Sequence, residues 1–291
     1  MSTLQQDRTD LCIIVGAGSG FGAVLAQTFI EQFICSRRKS SGLHLVLTGR
    51  VLADLTRTAE KCRNSCSVDG IQITLVDGAY WDDASRFDTI VARIFDHARQ
   101  HSSQRYTQCT LINNAGTLGD LSRTIAQTDW QAQAQFMTAN FASFAAMCTE
   151  FLRQFPLDSL EPVPEVNGQP REPQRVIVNI SSLLAIQPAS HWGSYSCAKA
   201  ARDRFLEVIA LEEDPALTKT LNYAPGPLDN AMQQRVRQGL GDATQRSLYT
   251  AMSEEGKLVT MESSATKVVK LVLQNRFTSG QHIDYFDVDD F

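Results

Sequence analysis

Six short aliphatic runs, LCIIVGA, LHLVLTGR, IQITLVDGA, CTLINNAG, RVIVNISS and TLNYAPGP, recur along the chain between longer amphipathic stretches. Most of these runs do not alternate apolar with polar residues, so the strands they predict are covered on both faces. Runs of this kind, each followed by a stretch long enough for a helix, indicate repeated strand-helix-strand units. The expected fold is α/β, a doubly wound parallel sheet with helices on both faces. Such sheets bind ligands beyond the carboxyl ends of their strands, where most of the polar residues singled out below fall.

The length of 291 residues and a hydrophobic content of 43% suit one domain over 1–291 with a sizeable core. One segment departs from the rhythm: Phe155 to Gln174 carries five prolines and no helical period, and reads as an excursion loop between a helix and the strand at 175–180. A net charge of -5 and a pI near 5.6 give no positive field for nucleic acid or an anionic membrane. An anionic ligand must then be held by a local site. The amino terminus MSTLQQDRTD is polar and no apolar stretch reaches the ~18 residues of a membrane helix, so a cytoplasmic protein is expected. The seven cysteines are odd in number and scattered, which suits free thiols. Cys62 and Cys66 share a helix face, but no histidine stands near them at zinc spacing, and no metal site is expected.

The stretch LCIIVGAGSGFG places glycines between a strand and a helix that begins near Ala23. Gly16 permits a tight turn, Gly20 lets the backbone approach a pyrophosphate, and Gly22 lets helix pack on strand, with Gly18, Ser19 and Phe21 filling the same turn. A dinucleotide is the expected ligand. The second strand ends in Arg50, where an NAD-dependent protein usually carries an acid for the ribose diol. A guanidinium there suits a 2′-phosphate instead, which favours NADPH over NADH. Asp77, after the third strand, is either an acceptor for the adenine amino group or a solvated loop carboxylate.

Tyr195 and Lys199 stand four apart on one helix face, so an ammonium beside the phenol is expected to lower its pKa and make it a general acid. Ser182, at the end of RVIVNISS, is placed to polarise a substrate carbonyl. The bare alternative is a surface Tyr/Lys pair, and it is weakened by the strand-end serine and the glycine-rich turn upstream.

In order along the chain stand GxxxGxG at Gly16, NNAG at Asn113 to Gly116, Asn140, Ser182, YxxxK at Tyr195 and PG at Pro225 and Gly226. The set resembles the short-chain dehydrogenase/reductase family over nearly the whole chain. The resemblance implies a Rossmann-like fold, a role for the NNAG turn (Asn114, Ala115, Gly116) in steadying the sheet and holding the cofactor, and catalysis by Asn140, Ser182, Tyr195 and Lys199. Asn140 is then expected to hold a proton-relay water to the lysine, although by itself it reads as a helix-interior asparagine.

Within that family the stretches NNAGTLGDLS, VNISSLLAIQPASHW, YSCAKAARD, LNYAPGPLDNAM, EEGKLV and SGQHIDYFD resemble the sepiapterin reductases. This resemblance implies a pterin ring anchored by Asp284, with Leu183 and Gly226 beside the substrate. It also implies Pro225, Leu228 and Met232 at the cofactor, in a segment from Leu228 to Gln233 that closes over it. Ser19 departs from the arginine that animal members carry there, which leaves the NADP preference on Arg50. The implied activity is reduction of a pterin side-chain ketone on the route to tetrahydrobiopterin. The alternatives are reduction of vicinal diketones such as benzil and, more remotely, NADPH sensing without catalysis. Homodimers built from helices near Asn140 to Phe155 and Ser196 to Ala210 are likewise implied.

Overall fold

The computed structural model describes residues 9–36, 42–65, 70–100, 106–161 and 174–288. The first half runs β1 (Thr9–Val15), α1 (Gly20–Cys35), β2 (Gly42–Thr48), α2 (Leu52–Asn64), β3 (Ile71–Val76), α3 (Phe87–Gln100) and β4 (Tyr106–Asn113). The second runs α4 (Trp130–Met137), α5 (Ser143–Gln154), β5 (Arg175–Ile180), α6 (Gly193–Glu212), β6 (Thr218–Ala224), α7 (Ala231–Gly239), α8 (Ala243–Glu254), α9 (Met261–Leu273) and β7 (Gln281–Asp284). All seven strands are parallel, in the order β3-β2-β1-β4-β5-β6-β7. The order reverses between β1 and β4, and the crevice above that point is where a doubly wound sheet takes its ligand.

The six aliphatic runs become β1 to β6, and the reason is two-sided burial. In β1, Cys12 and Ile14 pack with α1, α2 and α9 on one face, while Leu11, Ile13 and Val15 pack with α3, α5 and α6 on the other. Every side chain of such a strand leaves water, and each large one contributes ~1.5–3 kcal/mol. The seventh strand has no aliphatic run: Gln281 is exposed and only Ile283 and Asp284 are buried. Its register places Asp284 opposite Ala224, so the acidic carboxy-terminal segment forms the edge of the sheet.

Two boundaries shift. Helix α1 starts at Gly20, so the last glycines of the turn already belong to it. The excursion expected over 155–174 is packed at its start: Phe155 and Leu160 are each 3% exposed, and the Glu161 amide donates to the Tyr106 carbonyl at 3.0 Å. Gln174 closes the other end through its Nε2, which donates to the Glu161 carbonyl at 2.7 Å. Residues 162–173 and Cys66 lie outside the described residues. Among the described residues no helix is long and apolar enough to cross a membrane.

Helices α4 and α5 are joined without a break by a π turn, Thr138–Ala142, in which the Ser143 amide reaches the Thr138 carbonyl five residues back. Such turns insert one residue into a helix and concentrate at functional sites.

Candidate active site

The glycine-rich turn is shaped by lack of space. Gly16 has φ +85°, and a Cβ on it would stand 2.9 Å from the Cα of Ala115. A Cβ on Gly22 would lie 2.0 Å from the Gly16 carbonyl oxygen and 2.6 Å from the Asn114 Nδ2, which donates to that same oxygen at 3.0 Å. Gly20 differs: its φ is +54° and nothing stands within 4 Å of a Cβ there, so the turn is open on the side where a ligand backbone would approach. Ser19 caps α1 without a side-chain hydrogen bond, and no acidic residue occupies the first turn. Free amides at a positive helix end, bordered by an open glycine cradle, fit a pyrophosphate.

At the ends of β2 and β3, the Gly78 amide donates to the Arg50 carbonyl at 3.2 Å, which brings the two loops together. The Arg50 side chain is exposed. Asp77 pairs with Arg93 at 3.2 Å, so its carboxylate is already shared with a cation.

The NNAG turn sits across the β1–β4 junction. The amides of Asn114 and Ala115 both donate to the Val15 carbonyl, at 3.2 and 2.8 Å. Gly116 then faces three side chains, since a Cβ on it would lie 3.3 Å from the Asn140 Oδ1, 3.7 Å from the Arg202 Nη1 and 4.0 Å from the Lys199 Nζ. Asn140 lies inside the π turn rather than in a regular helix, and is 4% exposed. Its Oδ1 accepts from the Thr117 amide at 2.8 Å and its Nδ2 donates to the Phe136 carbonyl at 3.0 Å.

Ser182 follows β5 and caps the short turn Leu183–Ala185, its hydroxyl accepting from the Leu184 amide at 3.2 Å. It also hydrogen-bonds the Tyr195 phenol. Lys199, one turn further along α6, donates from Nζ to the Ile180 carbonyl at 2.6 Å, and that nitrogen stands 5.6 Å from the centre of the Tyr195 ring. Three of the four residues expected in catalysis, Ser182, Tyr195 and Lys199, are thus brought together, with the fourth, Asn140, behind them.

Their electrostatics correct one expectation. Burial pushes the Tyr195 phenol up, and the Ser182 hydrogen bond and the Arg202 charge pull against it without offsetting it. Lys199 is itself shifted: burial, and then the neighbouring Arg202, hold it well below the usual lysine range. Arg202, which stands outside the YxxxK motif, is among the groups that pull the phenol down.

The carboxy-terminal side closes the site. Gly226 has φ +75°, and a Cβ on it would lie 3.0 Å from Val259 Cγ2 and 3.5 Å from Tyr285 Cβ. Pro225 accepts from the Ser264 hydroxyl at 2.9 Å, and Leu228 pairs with Val259 in an isolated bridge. Met232 packs with Leu118, Leu121, Trp192, Val236 and Leu240 in a small cluster that includes Tyr195. This cluster ties α7 and α8 to the catalytic loop, because Trp192 Nε1 donates to Gln245 at 3.0 Å and the Gly241 amide to the Leu121 carbonyl at 2.9 Å. Asp284 is 9% exposed, with Oδ1 accepting from the Phe286 amide at 3.0 Å. Burial and then the Asp287 charge raise its pKa, against the Phe286 hydrogen bond and His282. Leu183 is 43% exposed.

A cavity of about 300 Å³ opens on the β4 side of Tyr195, between Thr117, Leu118, Phe136, Ala139 and His191. Tyr195 is the one predicted site residue that lines it; Ser182, Gly226 and Asp284 are elsewhere. Trp192 and Tyr249 stand around Tyr195, Gln245 holds Trp192, and His191 shares the cavity; none of them belongs to the motifs. His191 and Trp192 fall in the quoted stretch around SHW, which has no motif chemistry of its own, and Gln245 and Tyr249 leave no trace in any quoted stretch.

Comparison with known proteins agrees with this geometry. The chain is 33% identical over 280 residues to the sepiapterin reductase of Rattus norvegicus, covering 96% of this chain and 97% of that protein. It is 23% identical over 274 residues to a benzil reductase ((S)-benzoin forming) of Bacillus cereus, covering 93% and 97%. Among solved structures, the KRED1-Pglu enzyme superposes with a TM-score of 0.72 at 20% identity, covering 94% of this chain and 100% of that one, which speaks for the fold. The family model for short chain dehydrogenases matches residues 10–241. With that match laid over the glycine turn, the NNAG turn and the Ser182–Tyr195–Lys199 group, the chain belongs to the short-chain dehydrogenase/reductase family and is an NAD(P)-dependent oxidoreductase.

Proposed function

We propose that the protein is an NADPH-dependent carbonyl reductase whose substrate is a pterin carrying a side-chain ketone or diketone. The observation that carries the reading is the meeting of Ser182, Tyr195 and Lys199 at the carboxyl ends of β5 and α6's first turns, beside the glycine-rich turn. Gly16, Gly18, Ser19, Gly20, Phe21 and Gly22 would hold the dinucleotide pyrophosphate, Asn114, Ala115 and Gly116 its neighbouring ribose, and Pro225, Gly226, Leu228 and Met232 the nicotinamide side. Arg50, exposed at the end of β2, supports NADPH because a guanidinium pairs bidentately with a 2′-phosphate. When bound, the cofactor supplies the hydride.

The chain's own residues do the rest. Ser182 orients the carbonyl through its hydroxyl. Tyr195 gives its proton to the carbonyl oxygen, and its raised pKa keeps that proton in place at neutral pH. Lys199 fixes the end of β5 against α6 through the Ile180 carbonyl and presents the rest of its ammonium to the cofactor ribose. Asp284, buried at the edge beside the Gly226 turn, is the acceptor for the amino-pyrimidine edge of a pterin.

A second reading, a vicinal-diketone reductase, is favoured by the cavity on the far side of Tyr195, which is lined largely by apolar groups and does not include Asp284. NADPH consumption with sepiapterin, benzil and simple ketones tests both readings in the wild type, Tyr195→Phe and Asp284→Ala. Tyr195→Phe is expected to bind NADPH normally and lose about 10²–10⁴-fold in turnover, as removal of a general acid does. Near-normal rates in that variant would sink the proton-donor assignment. Asp284→Ala is expected to lose pterin turnover and keep benzil reduction; equal loss of both undoes the pterin anchor.

A further inference from the structure

Polar side chains meet on the α6 face of the sheet. Asn179 on β5, Asn222 on β6 and His282 on β7 stand in one row, because Asn179 is in register with Asn222 and Asn222 with His282. Asp203 of α6 lies over the row and is 4% exposed. Its Oδ1 accepts from Asn179 Nδ2 at 2.8 Å and from the Ser181 hydroxyl at 2.5 Å, and its Oδ2 accepts from His282 Nδ1 at 2.7 Å. Asn222 completes the set: it accepts from Asn179 Nδ2 at 3.1 Å and donates to the Asp203 carbonyl at 3.2 Å. On β1 the same face of the sheet carries Leu11, Ile13 and Val15, so holding helices on the sheet does not call for polar groups. A buried charged network adds little net stability, since desolvation offsets much of its gain. What it adds is direction, because each bond tolerates only about half an ångström of slack.

The two ends of this network reach the two ends of the proposed site. Ser181 precedes Ser182, and the Ile180 carbonyl holds Lys199 Nζ at 2.6 Å, so α6 fixes Asn179, Ile180 and Ser181 in succession. His282 and Asp284 stand two apart on β7 and share a face, with Ile283 packed on the other. Ser181 and Asp284 lie two residues beyond Asn179 and His282 on their strands, and two strand spacings, about 9–10 Å, separate them.

We propose that Asp203 and His282 are a positioning pair of the reductase: the tie sets the span between Ser182, which orients the carbonyl, and Asp284, which accepts from the ring. Both act through their neighbours, Asp203 through Ser181 and His282 through β7. The inference rests on Asp284 being the pterin acceptor. It makes the pair a determinant of specificity for substrates held at both ends; a carbonyl compound that does not reach Asp284 is indifferent to the His282 half of the tie.

The test measures kcat and KM for sepiapterin, and for the faster of benzil and a simple ketone, in the full chain with NADPH. His282→Leu releases β7 while Asp203 keeps Asn179 and Ser181. Sepiapterin kcat is expected to fall about tenfold or more with KM within about threefold of wild type, because the ring stays anchored while the carbonyl is misplaced. Kinetics with the second substrate are expected to stay within about threefold. His282→Asn puts a carboxamide N–H near the place of Nδ1 and is expected to restore the sepiapterin rate. Equal losses on both substrates would mean a structural brace, and an unchanged sepiapterin kcat would mean a network without influence on the site; either result overturns the inference. If His282→Leu does not fold, Ser181→Ala loosens the other end of the tie by one hydroxyl. Sepiapterin kcat is then expected to fall with KM held, and an unchanged kcat overturns the inference equally. The two readings fail separately. A wild type that does not reduce sepiapterin, or an Asp284→Ala variant that reduces it normally, removes the pterin anchor and the inference with it. Loss of pterin turnover in Asp284→Ala with normal turnover in His282→Leu removes only the tie.

Discussion

The two ends of the sheet are built by different physics. Under the dinucleotide turn, β1, β2, α1 and α2 pack aliphatic side chains, and the decisive contacts are those that leave no room: Gly16 against Ala115 and Gly22 against the Gly16 carbonyl. Beneath Ser182, Tyr195 and Lys199, strands β5, β6 and β7 help bury Asn179, Ser181, Asn222 and Asp203, and the decisive contacts are hydrogen bonds. Asp203 accepts from Asn179 at 2.8 Å and Ser181 at 2.5 Å, and reaches the His282 Nδ1 at 2.7 Å. The first end is specified by shape, the second by polarity. Shape leaves short-range marks in a sequence, whereas a polar network joins residues far apart in the chain.

The largest effect is expected where shape decides. Gly22→Ala drives a methyl into the Gly16 carbonyl and should destabilise the fold by about 3 kcal/mol, with affinity for the nicotinamide dinucleotide falling at least tenfold. The paired variant Gly20→Ala meets no atom within 4 Å and bears only the strain of a positive φ, about 1 kcal/mol. Urea unfolding and NADPH titration measure both, and equal losses in the two variants would mean that space is not what governs this end.

At the polar end, Asp203→Asn removes the charge that His282 faces and turns one accepting oxygen into a donor. The expected loss is ~3 kcal/mol of stability, the range for breaking a buried pair on one side. A loss under ~1 kcal/mol would show that the network is incidental.

The smallest effect is a pH dependence. Burial disfavours charge on His282, but the hydrogen bond and charge of Asp203, with Asp284 and Asp287, outweigh it and raise its pKa. A raised folded value means that this stabilisation is complete below about pH 6.5, the unfolded value, and is lost as pH rises through the folded one. Melting temperatures measured from pH 6 to 9 should therefore fall more steeply in the wild type than in His282→Gln. Parallel profiles would contradict a charged His282.

This contrast accounts for what was legible in the sequence. Strands β1 to β6 were readable because two-sided burial demands aliphatic runs, and the glycine turn because close approach excludes every side chain but hydrogen. Strand β7 was not, since an edge strand with Gln281 and His282 carries no aliphatic run. Tyr195 and Lys199 were visible as a one-turn pair. The same periodicity does not show that burial raises the phenol, nor that Arg202, one turn on, braces the NNAG turn. That residue clamps a turn 87 to 89 positions away, a separation no local pattern reports. Prolines dominate the segment that Phe155 and Leu160 open and give it the signature of a loop, yet each of the two is buried against the core.

The π turn at Thr138–Ala142 also sets a limit on how this chain can vary. Each helical residue turns the chain by about 100°, so the one extra residue shifts the phase between α4 and α5. Within it Asn140 holds Thr117; downstream the stripe of Phe144, Met147, Cys148 and Phe151 faces the sheet. Deleting any single residue between 138 and 142 would restore a regular helix, and one of those two faces would swing away from its partner. An insertion or deletion here is thus far more disruptive than most substitutions, and lineages that keep the site must keep the count of residues between Asn140 and Phe144 even where the identities between them drift.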